Sequence, residues 1–281
     1  MSTYKQVVVS EHEYMSPDGE DLTMKGDPTF SRLTLFLIVC FLGACSSKGT
    51  YYNKPLSEVG QLAPQLEQSI APLKLLIIGG SSGIGFELTK LALSRKHQVT
   101  VVSRNPARML YAHPNLVKRK GDITEYASMN RLIPNHDVVI SAIGLPAGTP
   151  DVTLFSEGIK VVINVMQKQM VDRLISVTAV GAGDSKDHGG FWFDRVLQPF
   201  ILASDIADKT RQEKLILKSG LNYTIVRPAL LNDESASYSY RVIQNYDGIE
   251  AGEIARSDVA HFILASIEQE LYGKSIVLLS N

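Results

Sequence analysis

From about residue 72 to the C-terminus, short apolar runs alternate with polar stretches in which apolar residues recur at helical spacing. Leu73–Ile78 is such a run and ends at Gly79, the pattern of a strand buried on both faces. Phe86, Leu88, Leu91 and Leu93 then form a helical stripe that lasts to about Arg95. His97–Val102 predicts the second strand and Leu116–Lys118 a short third one. His136–Gly144 holds the fourth strand and its exit, Asp172–Thr178 the fifth. Asn222–Val226, closed by Arg227-Pro228, is the sixth, and Ser275–Leu279 the last. Strands alternating with helices predict an α/β fold, a doubly wound parallel sheet with helices on both faces. The expected sheet has seven strands in the order 3-2-1-4-5-6-7.

The N-terminal quarter reads differently. Residues 1–31 are polar and rich in turn formers, the pattern of a disordered tail. Leu33–Ala44 is almost wholly apolar, but as a helix it spans only about 18 Å, short of the roughly 30 Å needed to cross a bilayer. Its length fits the apolar core of an export signal. Leu42-Gly43-Ala44-Cys45, followed by Ser46-Ser47, resembles the lipobox of bacterial lipoproteins, which implies lipid attachment at Cys45. Such a signal works best from a start at Met24, with Lys25 and Arg32 before the apolar run. A short uncleaved anchor or a buried helix is the alternative. The expected organisation is therefore 1–45 tail and signal-like segment, 46–71 tether with a short helix over Gln61–Ile70, and 72–281 folded domain. Membrane association follows from the first reading, a cytoplasmic protein from the second.

Composition narrows the chemistry. The 281 residues carry a net charge of −1 with no basic stripe, against a nucleic-acid binder. Cys40 and Cys45 are the only cysteines, so the domain has neither a disulfide framework nor a thiolate metal site. Glu11-His12-Glu13 has metal-ligand types but sits in the tail, and no metal is expected.

The glycines between first strand and first helix are spaced Gly79-x-x-x-Gly83-x-Gly85. Gly79 permits a tight turn, Gly83 lets backbone N–H groups approach a diphosphate, and Gly85 lets helix and strand pack closely. Ser81 and Ser82 add hydroxyl donors, and Ile84 opens the helix. Where an NAD site places an acid about 20 residues on, this chain has Ser103-Arg104, with Arg108 following. A cation suits a 2′-phosphate, so NADP is expected in preference to NAD.

With "GGSSGIG", "VVSRN", "GDIT" and "SAIG" in view, residues 72–281 resemble the short-chain dehydrogenase/reductase superfamily. "KTRQEKLILKSGLNYTIVRPALL" and "ARSDVAHFIL" resemble its atypical branch, which includes proteins similar to biliverdin reductase B/flavin reductase and NmrA-like sensors. The resemblance implies a Rossmann domain with Asp122 and Ile123 near the adenine and Ala142, Ile143 and Gly144 along the cofactor. It also implies a serine at the end of the fifth strand and a Tyr-x-x-x-Lys pair on the next helix. Here the serine position holds Ala179, after Thr178, and the helix offers Asp205-Ile206-Ala207-Asp208-Lys209. No Tyr-x-x-x-Lys follows the fifth strand, which leaves Thr178 and Lys209 as catalytic candidates. Two readings stand. In one, hydride passes to a planar acceptor such as a flavin or quinone; in the other, the domain is a non-catalytic NAD(P) sensor or scaffold.

The segment Asp184–Phe200 follows the fifth strand, where ligands of such sheets sit. Phe191, Trp192 and Phe193 are candidates to stack on a planar substrate or to pack the loop down. Asp187-His188 is an acid/base pair or a solvated turn. Pro228 is a candidate substrate contact or a strand terminator, and Tyr238 and Tyr240 line a pocket edge or an edge strand.

Overall fold

In β1 (Lys74–Ile78) the last four residues are buried, and successive side chains point to opposite faces of the sheet. Leu75 and Ile77 join one hydrophobic core, Leu76 and Ile78 the other. A continuous apolar run is thus what a strand covered on both faces requires. The computed structural model describes residues 71–281. The expected tail with Glu11-His12-Glu13, the Leu33–Ala44 run, Cys45, and the Gln61–Ile70 helix lie outside the described residues.

The elements that follow are α1 (Gly83–Ser94), β2 (Gln98–Ser103), β3 (Leu116–Lys120), α2 (Tyr126–Leu132), β4 (Val138–Ser141), α3 (Leu154–Lys168) and β5 (Arg173–Val177). A wide, π-type helical segment, Phe193–Leu202, runs into α4 (Ala203–Leu217). After it come β6 (Asn222–Pro228), β7 (Leu230–Asn232), β8 (Arg241–Ile243), β9 (Glu253–Ala255), α5 (Arg256–Glu268) and β10 (Ser275–Ser280). The main sheet has the order β3-β2-β1-β4-β5-β6-β10-β8. Its first seven strands are parallel and stand in the expected order, with β10 as the seventh. The expected strand count needs correction, because β8 adds an eighth, antiparallel edge strand through Leu278↔Ile243 and Leu279↔Val242. β7 and β9 form a separate parallel pair. Among the described residues no helix is long and apolar enough to cross a membrane.

α1 and α5 pack together on one face of the sheet, and α3 and α4 on the other. Asp208 of α4 accepts hydrogen bonds from the N–H groups of Phe155 (2.8 Å) and Ser156 (3.2 Å) in the first turn of α3. A carboxylate there satisfies orphan donors and complements the helix dipole, so one helix caps its neighbour. Since β1 lies between β2 and β4, the strand order reverses at β1, and a crevice opens beyond its carboxyl end.

Candidate active site

The turn after β1 closes tightly because Gly79 and, in the helix that follows, Gly85 lack side chains. Gly79 has φ +89°, and a Cβ there would lie 2.6 Å from the carbonyl oxygen of Ala142. A Cβ on Gly85 would lie 2.4 Å from the carbonyl oxygen of Gly79. Turn and helix are thereby pressed together, and the N-terminus of α1 faces the crevice. No side chain caps it and its first turn holds no acid, so its N–H groups stay open to an anion.

The crevice is a cavity of about 1040 Å³. Gly79, Ser81, Ser82, Gly83 and Ile84 line its phosphate-loop end, with Ser103, Arg104 and Arg108 beyond β2. Asp122 and Ile123 follow from the loop after β3, and Ala142, Ile143 and Gly144 from the exit of β4. Gly85 is not part of the cavity lining and is pressed against the turn in the contact just described. The Ser103 hydroxyl is buried and has no hydrogen-bond partner among the described residues. An orphan hydroxyl beside Arg104, next to an uncapped helix N-terminus, fits the ribose and phosphates of a dinucleotide. The Thr124 N–H and hydroxyl, bonded to Asp122, hold that carboxyl below the usual carboxylate range, and Arg104 adds to the effect. The Asp122 carboxylate therefore shapes its own loop.

At the other end, Val177, Thr178, Leu202, Asp205, Lys209, Pro228 and Leu231 line the same cavity, while Arg256 comes up beside Gly83. Thr178 is buried, and its hydroxyl donates to Glu213 Oε1 at 2.8 Å. What it turns toward Lys209 is its carbonyl, which accepts from Nζ at 3.4 Å. The Lys209 ammonium also lies 5.0 Å from the centre of the Phe155 ring. Burial lowers its pKa, against the opposing pull of Asp205 and Glu213. Beneath this end lies a buried cluster. Arg227 donates to Glu213 through Nε (2.9 Å) and Nη2 (2.7 Å), and through Nη1 to Asp184 and to Tyr246 Oη (2.9 Å).

The aromatic triplet divides. Phe193 is buried in the core, packed against Gly181 and Gly189, which corrects its reading as a substrate contact. Phe191 and Trp192 are exposed, and Trp192, expected as a substrate contact, lies outside the cavity lining. A helix shows its faces in rotation, and only one ring of three consecutive ones turns inward. Asp187 and His188 also stand apart from the cavity, with His188 Nδ1 hydrogen-bonded to the Ile249 carbonyl at 3.0 Å. Tyr240 is buried and bonds His261. Asp205, Arg256, Leu202 and Leu231 are cavity residues that the sequence analysis did not single out. Asp205 carried a usable signal, four residues before Lys209. Arg256 carried none, since its approach to Gly83 joins residues far apart in the chain. Among the described residues no group of three metal-ligating side chains comes together.

The family described as NAD(P)H-binding matches residues 79–270, from the first glycine of the turn to two residues past the last helix. The chain belongs to that NAD(P)H-binding family. An uncharacterized chloroplastic protein of Arabidopsis thaliana is 25% identical over 219 residues, 73% of this chain and 76% of that protein. Two solved structures share the fold. ChuY of Escherichia coli O157:H7, an anaerobilin reductase, has a TM-score of 0.64 and 23% identity, covering 74% of this chain and 96% of its own. A short-chain dehydrogenase/reductase of Veillonella parvula, solved with NADP, has a TM-score of 0.63 and 16% identity, covering 75% and 95%. The domain is thus an NAD(P)H-binding protein with a Rossmann fold.

Proposed function

We propose that the protein is an NADPH-dependent reductase that passes hydride to a flat, conjugated acceptor of the flavin or quinone type. The observation that carries the reading is one continuous cavity with an anion-binding end at Gly79–Ile84 and an apolar, lysine-bearing end at Val177, Lys209 and Pro228. Its volume is at the top of the roughly 300–1,000 Å³ of small-molecule sites, room for a dinucleotide and part of a second ligand. Arg104 and Arg108 stand where an NAD site has its acid, which supports NADP. When bound, the dinucleotide supplies the hydride. The protein's own residues orient it: Ser81–Gly83 and the α1 N-terminus take the diphosphate, Arg104 and Ser103 the adenosine ribose and its phosphate, and Lys209 the opposite ribose. Leu202, Leu231 and Pro228 form an apolar wall for the acceptor.

NADPH titration followed by reduction of menadione or flavin mononucleotide tests the reading. Binding with turnover is the expected result. Tight binding without turnover on either favours the second reading, a non-catalytic NAD(P) sensor or scaffold. That reading draws on the missing Tyr-x-x-x-Lys pair and on a Thr178 hydroxyl already engaged by Glu213. The N-terminal segment suggests a location. A lipid on Cys45 would hold the chain at a membrane, where quinones dissolve, and mass spectrometry of the mature N-terminus tests that.

A further inference from the structure

α4 carries three buried acids, Asp205, Asp208 and Glu213. Two have full sets of partners. Asp208 caps α3 and meets Arg211 at 3.1 Å, while Glu213 holds Arg227 and Thr178. Asp205 is the exception. It is 8% exposed, and among the described residues no hydrogen bond or ion pair engages its carboxyl. Its carboxyl oxygens are not among the enclosed side-chain atoms that lack a partner, so they open onto the cavity, where Lys209 attracts them. Asp205 lines the cavity beside Leu202, Lys209, Thr178 and Pro228, so a ligand atom in the cavity can meet its carboxyl directly.

We infer that the Asp205 carboxyl donates the proton that completes reduction of the acceptor, an inference that rests on the hydride transfer proposed above. In balance, the dihydronicotinamide gives hydrogen with its electron pair and is oxidised. The acceptor's carbonyl oxygen or ring nitrogen gains the proton as the carboxyl O–H bond breaks. The electron pair of that bond stays on Asp205, and solvent later returns a proton. Burial raises the Asp205 pKa, with Lys209 opposing and Asp208 adding to the rise, so the acid holds its proton more readily than an exposed aspartate. Lys209, one helical turn on, faces the carboxylate left behind and stabilises it. Arg256 lines the same cavity from α5 but stands by Gly83 and pairs with Asp233 at 2.7 Å; Arg211 donates to the Val152 carbonyl at 2.8 Å, beside the Val152–Ser204 contact, and Thr178 and Pro228 bring no charge.

The experiment compares the parent chain with Asp205→Asn and Asp205→Ala, using NADPH with menadione. Expected are a loss of about 100-fold or more in kcat for Asp205→Asn, an NADPH Kd within about twofold of the parent, and partial rescue of Asp205→Ala by formate. In the ligand-free protein, the infrared difference between parent and Asp205→Asn should show a carboxyl titrating above the usual value of about 3.9. Parent-like kcat in Asp205→Asn overturns the inference while leaving the reductase reading intact. Parallel loss of NADPH binding overturns it as well, since Asp205 would then serve the cofactor. A parent that binds NADPH but reduces neither menadione nor flavin mononucleotide overturns the reductase reading and this inference with it. A carboxyl titrating at or below the usual value overturns the inference alone.

Discussion

Replacing Glu213 by glutamine keeps the shape of the side chain and removes its charge. In the parent, the Arg227 and Glu213 side chains are 1% and 3% exposed and joined by two hydrogen bonds, so neither charge has water to turn to. Removing one partner of a buried pair costs about 3–5 kcal/mol, because the other charge stays buried. The lower end applies here, since Asp184 and Tyr246 continue to face the guanidinium. Asp184 is 73% exposed and its attraction is screened, so it compensates only in part. For a folded region of this size, about 3 kcal/mol corresponds to a fall in Tm on the order of 6–12 °C. Thermal melts followed by circular dichroism read it directly. Adding Arg227→Met to the variant should recover part of the loss, as both charges are then gone. If Glu213→Gln melted within about 2 °C of the parent, the buried pair would not be holding the floor of the site, and the reasoning fails.

Other consequences are as direct. Arg104→Ala should weaken NADPH by about 10–100-fold, from a charge-assisted contact worth about 1.5–3 kcal/mol, and leave NADH within about twofold; equal losses would refute the 2′-phosphate assignment. Gly85→Ala places a Cβ 2.4 Å from a backbone oxygen that cannot swing aside, so a loss of about 2–3 kcal/mol in urea melts and weaker NADPH binding are expected. An unchanged midpoint would show that helix and turn can separate freely. Burial, with Arg95 adding to it, holds the His261 imidazole below its ordinary 6.5. The unfolded chain then takes up a proton that the folded one resists, so stability is constant above that pH and falls as pH drops below it. His261→Gln should flatten the fall between about pH 6.5 and 5; an identical slope in both proteins would assign it to other groups.

How much of this was legible beforehand depends on where each element gets its stability. Strands such as Leu75–Ile78 announce themselves, because burial on both faces demands an unbroken apolar run. The phosphate turn is equally local, since Gly79, Gly83 and Gly85 act within one turn of chain. Cavity residues at the exits of β2, β3 and β4 follow once the strands are placed. β8 is different: three residues, Arg241–Ile243, become a strand only by pairing with β10, and nothing within the triplet says so. Phe191-Trp192-Phe193 shows the same limit. An aromatic residue looks alike whether it meets a ligand or the core, and the rotation of the helix decides. Arg256 reaches the cavity through tertiary packing alone.

The three acids of α4 have a joint effect. Asp208 pins the helix sideways to the start of α3, and Glu213 pins it downward to the end of β6. Asp205 and Lys209 lie along the same rod. Turning α4 by one residue, about 100°, would undo both fastenings at once. The helix is therefore keyed like a shaft in its slot, free to sit in one angular position only. The aim of the two cavity-facing groups is set by bonds made outside the cavity lining.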